Sequence, residues 1–163
     1  MIPFLLLAAY TDPLPTPEPT VVAAGVVAGE REPRPDRAQV SRIVARAGTL
    51  TGHWGAFQRC VAHRESKDSP TVVNNSGHAG VYQFGIRWRH GLPYVVQRGL
   101  IHAGMPSRDA RAIRLSLPSR IERWPARFQH VGFAQVIREG GRAAAMRHWG
   151  LAGSACNGLA GAR

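Results

Sequence analysis

The sequence predicts a mainly α domain with some α+β character: one small β-hairpin among helices, and an extended Pro-rich segment ahead of them. Three observations carry this. After Arg37, apolar residues recur at helical spacing over most of the chain. One stretch departs from that period: Val72-Val73 and Val81-Tyr82 flank Asn74-Asn75-Ser76-Gly77, a turn sequence between two apolar pairs. Before Arg37 no period holds, and Pro13, Pro15, Pro17 and Pro19 favour extended backbone.

Residues 1–36 read as a non-globular segment. Ile2 to Tyr10 and Val21 to Gly29 are short apolar runs. Either suits the apolar part of a secretory signal, with Val22-Ala23-Ala24 or Val27-Ala28 as a cleavage site. No Lys or Arg precedes either run. An extended tether, or an upstream extension from a misplaced start, therefore stand beside that reading.

The domain is expected over residues 37–163. Val40, Ile43, Val44 and Ala47 mark a first helix that Gly48 can end. Trp54, Phe57, Cys60, Val61 and Arg64 mark a second, ending near Ser66 before the break at Ser69-Pro70. The hairpin follows. Ile86 to Gly99 reads as helix with a break around Gly91 and Pro93. Ser107 can cap a helix through Leu117. Ser119-x-x-Glu122 is a capping box, and Pro125 sits near the start of a helix to Glu139. Gly140-Gly141 should stop that helix, and Ala143 to Trp149 should form a last short one. A small-residue tail begins at Gly150.

Composition bounds the function. With 163 residues and 44% hydrophobic, the chain can form a core and is not disordered throughout. No run approaches the roughly 18 to 20 consecutive apolar residues of a spanning helix. Charge is uneven. Residues 1–36 hold two arginines against five acids, a net of −3. Residues 37–163 hold 19 Lys or Arg against five acids (Glu65, Asp68, Asp109, Glu122, Glu139), a net of +14. Such a domain suits an anionic partner: nucleic acid, a membrane surface or an anionic cell wall.

Two cysteines cannot hold zinc alone. Cys60 and Cys156 read either as buried thiols or as one disulfide closing a loop of about 97 residues. The tail of Gly, Ala and Ser buries little by itself. Its order is best explained by a Cys60–Cys156 crosslink to the second helix, and that pairing is the expectation.

The densest chemistry lies between Cys60 and Trp88. Glu65 ends an apolar-faced helix, about 140° around the axis from Cys60. The cysteine can face a neighbouring helix while Glu65 faces a cleft. A desolvated carboxyl there would serve as a proton donor near neutral pH; the plain alternative is an exposed Glu paired with Arg64 or Arg87. The segment Cys60-x4-Glu65-Ser66, then an Asn-containing turn, then Ala79-Gly80-Val81-Tyr82-Gln83-Phe84 and Trp88, resembles the transglycosylase-like branch of the lysozyme superfamily. That branch includes the resuscitation-promoting-factor domains of actinobacteria and related phage wall-degrading proteins. The resemblance is close over about residues 50–90 and only an outline beyond. It departs in two places. The family's cysteine directly precedes its Glu, and its Gly-Gly after Glu-Ser is Lys67-Asp68 here.

The resemblance implies a lysozyme-like fold and cleavage of peptidoglycan glycan strands, with Glu65 as general acid. It places Gln83 in the cleft as a hydrogen-bonding group. Tyr82 and Trp88 would pack on sugar faces or in the core. Asn74 or Asn75 would orient substrate or simply form the turn. Ser66 is expected to cap backbone rather than act as a nucleophile. A second carboxylate is hard to find: Asp68 can reach the cleft, whereas Asp109, Glu122 and Glu139 sit among arginines. Without one, the substrate's N-acetyl group would assist. No cofactor is expected. His53, His63, His78, His90, His102, His130 and His148 are scattered without His-Glu-x-x-His spacing, so no metal site is expected. The expected location is extracellular, in the cell wall or on a virion. The alternative is an Arg-rich protein that contacts nucleic acid through Arg108, Arg111, Arg114, Arg120, Arg123 and Arg127, or an inactive structural wall or virion protein.

Overall fold

A computed structural model describes residues 34–149 and 155–161. The chain divides into two units, residues 1–32 and 33–163. The expectations for a signal or tether fall almost wholly outside the described residues.

Among the described residues the helices follow in order: α1 Arg37–Gly48, α2 Gly52–Ser66, α3 Trp88–His102, α4 Ser107–Ser116, α5 Ala126–Trp149 and α6 Asn157–Gly161, with a 3-10 turn at Ile121–Arg123. Asp36 starts α1, its Oδ1 accepting from the Gln39 N–H at 2.7 Å. Arg138 of α5 closes the other end by donating to the Ala47 and Thr49 carbonyls at 2.6 and 2.9 Å. Gly141 (φ +50°, ψ −140°) leaves the helical conformation and divides α5 in two where Gly140-Gly141 is expected to stop it, because only glycine enters that conformation cheaply. No described helix is long and apolar enough to cross a membrane.

Helix α5 is the spine. It packs on α1 and α3, and α3 packs on α4. Two glycines set the α3–α5 approach: a Cβ on Gly99 would lie 2.9 Å from Val131 Cγ1, and one on Gly132 would lie 2.9 Å from Leu92 Cδ1. Phe133 of α5 is fully buried at the centre of the aromatic core. Tyr82 stacks on it at 4.0 Å between centroids, Trp149 lies at 4.5 Å, and Phe57 of α2 at 6.0 Å.

Several expectations need correction. The expected β-hairpin is reduced: the Asn74 N–H donates to the His78 carbonyl and the Gly80 N–H to the Val72 carbonyl around the turn, without forming strands among the described residues. Among the described residues only isolated antiparallel bridges occur, Val73 with Ala79 and Ala79 with Phe84. Val81 and Tyr82 are buried side chains of a tight loop instead. The Asn74 turn is present: Asn74 Oδ1 accepts from the Ser76 and His78 N–H groups at 2.9 and 3.0 Å. Helix α3 runs through Gly91 and Pro93 without a break. Ser107 is the first residue of α4 and makes no capping bond from its side chain. The Ser119–Glu122 box is also absent, because Glu122 accepts from Arg120 Nε at 2.5 Å instead.

The crosslink is present. Cys60 and Cys156 form a disulfide with Cα atoms 5.8 Å apart, tying α2 to the segment that starts α6.

Candidate active site

Glu65 stands in the last turn of α2, with its side chain 24% exposed. The helix ends directly after it in a left-handed cap. Lys67 has φ +55° and its N–H donates to the His63 carbonyl at 2.9 Å; Asp68 has φ +66° and its N–H donates to the Ala62 carbonyl at 3.3 Å. These two residues stand where the resembled family has Gly-Gly. The backbone takes the conformation that glycine adopts freely.

The loop opposite Glu65, Gly80 to Gln83, is held from three sides. Ser66 Oγ donates to the Val81 carbonyl at 2.9 Å, which binds the end of α2 to the loop. Trp149 Nε1 donates to the Tyr82 carbonyl at 2.8 Å. Gln129, fully buried in α5, accepts from the Val81 N–H at 2.7 Å and donates to the carbonyls of Pro70, Ile121 and Trp124. Gly80 makes room for that amide, since a Cβ there would lie 2.1 Å from Gln129 Oε1. Gln83 completes the loop with φ +50°, and its Nε2 donates to the Gly80 and Val72 carbonyls at 3.0 and 3.2 Å.

The result is a cleft of about 260 Å³ lined by Glu65, Asn74, His78, Gln83, His148 and Trp149. An adjoining cavity of about 300 Å³ shares His78, Gln83, His148 and Trp149 and extends past Phe84 to Trp88. Glu65, Gln83, Asn74 and Trp88 are thus brought to one groove. Trp88 lies edge-on to His148, with centroids 4.8 Å apart.

Two expected members do not join them. Tyr82 is fully buried; its ring belongs to the Phe133 stack and its hydroxyl points into a different pocket. Burial pushes that phenol far above its ordinary range, so it remains a hydroxyl. Asp68 lines that same other pocket, with Oδ2 3.1 Å from His63 Nδ1. Its left-handed backbone turns it away from Glu65. Among the described residues Glu65 is therefore the one carboxylate lining the cleft.

Arg64 pairs with Glu65, as one of the alternatives expects, while the sequence analysis does not place His78 and His148 in the cleft. Arg64 donates to Glu65 Oε1 and, through the same Nη2, to the Trp149 carbonyl at 3.1 Å, so it fixes the carboxylate's orientation. His78 and His148 flank Glu65 from two distant segments. His78 Nδ1 is buried without a hydrogen-bond partner. Burial, and then the neighbouring Arg147 charge, hold His148 below the usual imidazole range. The position of His78 after the Asn74–Gly77 turn was the available signal; nothing local marks His148. Among the described residues no group of three or more His, Cys, Asp or Glu is arranged to hold a metal. The cleft thus offers one acid, two imidazoles, two amides and an indole wall. That set can donate and recover a proton at a single carboxyl, with aromatic surface beside it.

No protein-family model, curated protein or solved structure matches the chain.

Proposed function

We propose that this chain is a lysozyme-like enzyme that cleaves the glycan strands of peptidoglycan, with Glu65 as its single general acid. The observation that carries the reading is the cleft in which Glu65 is the one carboxylate among the described residues, lined also by Gln83 and Asn74. A flat basic surface around Glu65 would have argued against it. The Glu65-Ser66 and Gly80-Val81-Tyr82-Gln83 sequences that carry the family resemblance are also the segments that hydrogen bonds join here.

The chemistry follows from one carboxyl. Glu65 gives its proton to the glycosidic oxygen as the bond from the anomeric carbon to that oxygen breaks. The substrate's N-acetyl oxygen bonds to the anomeric carbon and carries the positive charge as an oxazolinium, since among the described residues no second carboxylate lines the cleft. The Glu65 carboxylate then takes a proton from the attacking hydroxyl, which displaces the acetyl oxygen. That hydroxyl belongs to water in hydrolysis, or to the muramyl 6-position in transglycosylation. The net charge of +14 over residues 37–163 would draw the domain to an anionic wall. The disulfide is compatible with an oxidising, extracellular location.

Incubation with purified peptidoglycan and mass spectrometry of the soluble fraction tests this. Anhydro-muramyl ends identify transglycosylation and reducing ends identify hydrolysis. Release of no muropeptides contradicts the proposal.

The nucleic-acid reading draws less support. Of its arginines, Arg108 pairs with Asp109, Arg120 with Glu122, and Arg114 with Gln97 and the Tyr94 ring. These guanidinium groups are engaged within the domain.

A further inference from the structure

A second pocket, of about 310 Å³, shares no lining residue with the Glu65 cleft. It forms where the end of α1, the middle of α2 and the early turns of α5 meet. Gly48 lets them meet closely, since a Cβ there would lie 3.1 Å from His130 Cβ. The floor is small and aliphatic: Val44, Ala45, Leu50 and Ala62.

The polar end is a chain of hydrogen bonds whose protons are fixed by counting. Gln58 Oε1 accepts from the Leu50 N–H at 3.0 Å. Gln58 Nε2 donates to the Gly48 carbonyl at 2.7 Å and to the Tyr82 hydroxyl oxygen at 3.1 Å, which uses both amide protons. Tyr82 therefore accepts from Gln58, and its own proton goes to its remaining partner, His130 Nδ1, at 2.6 Å. A neutral His130 must then carry its proton on Nε2. No described residue accepts from that nitrogen, and it is not among the buried unpartnered atoms.

Arg59 and Arg127 stand exposed at the rim, neither with a carboxylate partner among the described residues; Arg127 lies over the Phe128 ring, 5.2 Å from its centroid, a contact that leaves its N–H donors unused. Asp68 is the one acid there, and its Oδ2 faces His63. The groups left over for a ligand are thus mainly donors above an aliphatic floor.

We infer that this pocket binds a small aliphatic carboxylate, its oxygens taken by Arg59, Arg127 and the His130 Nε2–H, and its carbon chain by the floor. The volume suits a ligand of alanyl to valyl size, at the small end of ligand pockets. Two sources present this chemistry: a free short-chain acid, and the C-terminal carboxylate of a peptide ending in a small residue. The site is independent of what Glu65 does.

The test is calorimetric titration of the full chain with butyrate, N-acetylalanine and N-acetylalaninamide, with His130 ring signals followed by NMR. Both acids are expected to bind in about the millimolar range and to shift His130. The amide should bind at least about tenfold more weakly, because it offers no charge-assisted bonds. Tighter binding of N-acetylalanine assigns the peptide end, tighter binding of butyrate assigns the free acid, and equal binding supports the shared chemistry. An Arg59→Gln, Arg127→Gln variant changes exposed residues only and should weaken the acids about tenfold or more. Tyr82→Phe should weaken them too and move the His130 signals, because the tautomer is no longer held. Failure of either acid to bind, equal binding of acid and amide, or parental affinity in the arginine variant overturns the inference.

Discussion

At the scale of single residues, the account turns on which side of a helix end each carboxylate faces. Glu65 and Asp68 are three positions apart, and their proximity made Asp68 the natural second acid. The left-handed conformations at Lys67 and Asp68 separate them: Glu65 enters the cleft with Gln83, and Asp68 enters the other pocket and pairs with His63. The proposed one-carboxyl mechanism rests on this separation. Asp68→Asn is accordingly expected to lose less than about tenfold in the rate of glycan cleavage, well short of the roughly 10² to 10⁴-fold that a placed acid contributes. A loss as large as that from changing Glu65 would make the two a catalytic pair. The candidate site was legible at Glu65 and Gln83 because both belong to a short motif. The Arg64–Glu65 pair was legible from adjacency; His148 was not, since a histidine carries no local sign of the cleft that distant packing brings to it.

At the scale of elements, the helix end and the 80–83 loop are one unit. Ser66, Gln129 and Trp149 reach it from α2 and the two ends of α5. The expected pairing does not extend to Val81 and Tyr82 for a specific reason. Val81 and Tyr82 were read as strand from their apolar, β-favouring side chains. Their polar backbone groups instead find side-chain partners, the Val81 N–H on Gln129 and the Val81 and Tyr82 carbonyls on Ser66 and Trp149. A buried Gln 48 residues downstream cannot be seen from the turn sequence. The cap after Glu65 gives a direct test. A non-glycine residue in the left-handed region costs about 1 to 2 kcal/mol. Lys67 is exposed there, with φ +55°. Lys67→Gly should therefore raise the melting temperature by a few degrees, after the entropy of the more flexible unfolded chain is subtracted. A fall would mean that the lysine side chain contributes contacts that outweigh its backbone strain.

At the scale of the whole molecule, helix order and the crosslink were legible because periodicity, Gly140-Gly141 and a lone cysteine pair are local or countable signals. The close α3–α5 contact was not, because Gly99 and Gly132 acquire meaning only opposite Val131 and Leu92. The crosslink joins residues 96 apart, so its removal frees a long loop in the unfolded chain. A Cys60→Ala, Cys156→Ala variant should lose about 2 to 5 kcal/mol in chemical denaturation; unchanged stability would show that packing alone secures α6. Stability should also depend on pH in a definite direction. Burial depresses His130, with Asp68 opposing, and burial followed by Arg147 depresses His148. The unfolded chain therefore binds more protons than the native one as pH falls through about 6.5, and stability falls with it. Glu139 is held low by the Arg98 bond against its own burial, so a further loss sets in below about pH 4.5. A melting temperature that stays flat or rises from pH 7.5 to pH 5 would contradict these assignments.

In the proposed mechanism one carboxyl performs both proton transfers. Glu65→Gln keeps the size of the side chain and an acceptor for Arg64, but it has no proton to give. The decisive measurement is the release of soluble muropeptides from purified peptidoglycan by the Glu65→Gln variant and by the parent chain at equal concentration, with the melting temperature of each recorded alongside. The account predicts a drop of about 100-fold or more in the release rate, with melting temperatures within a few degrees of each other. Release by a folded Glu65→Gln variant at the parental rate would contradict it.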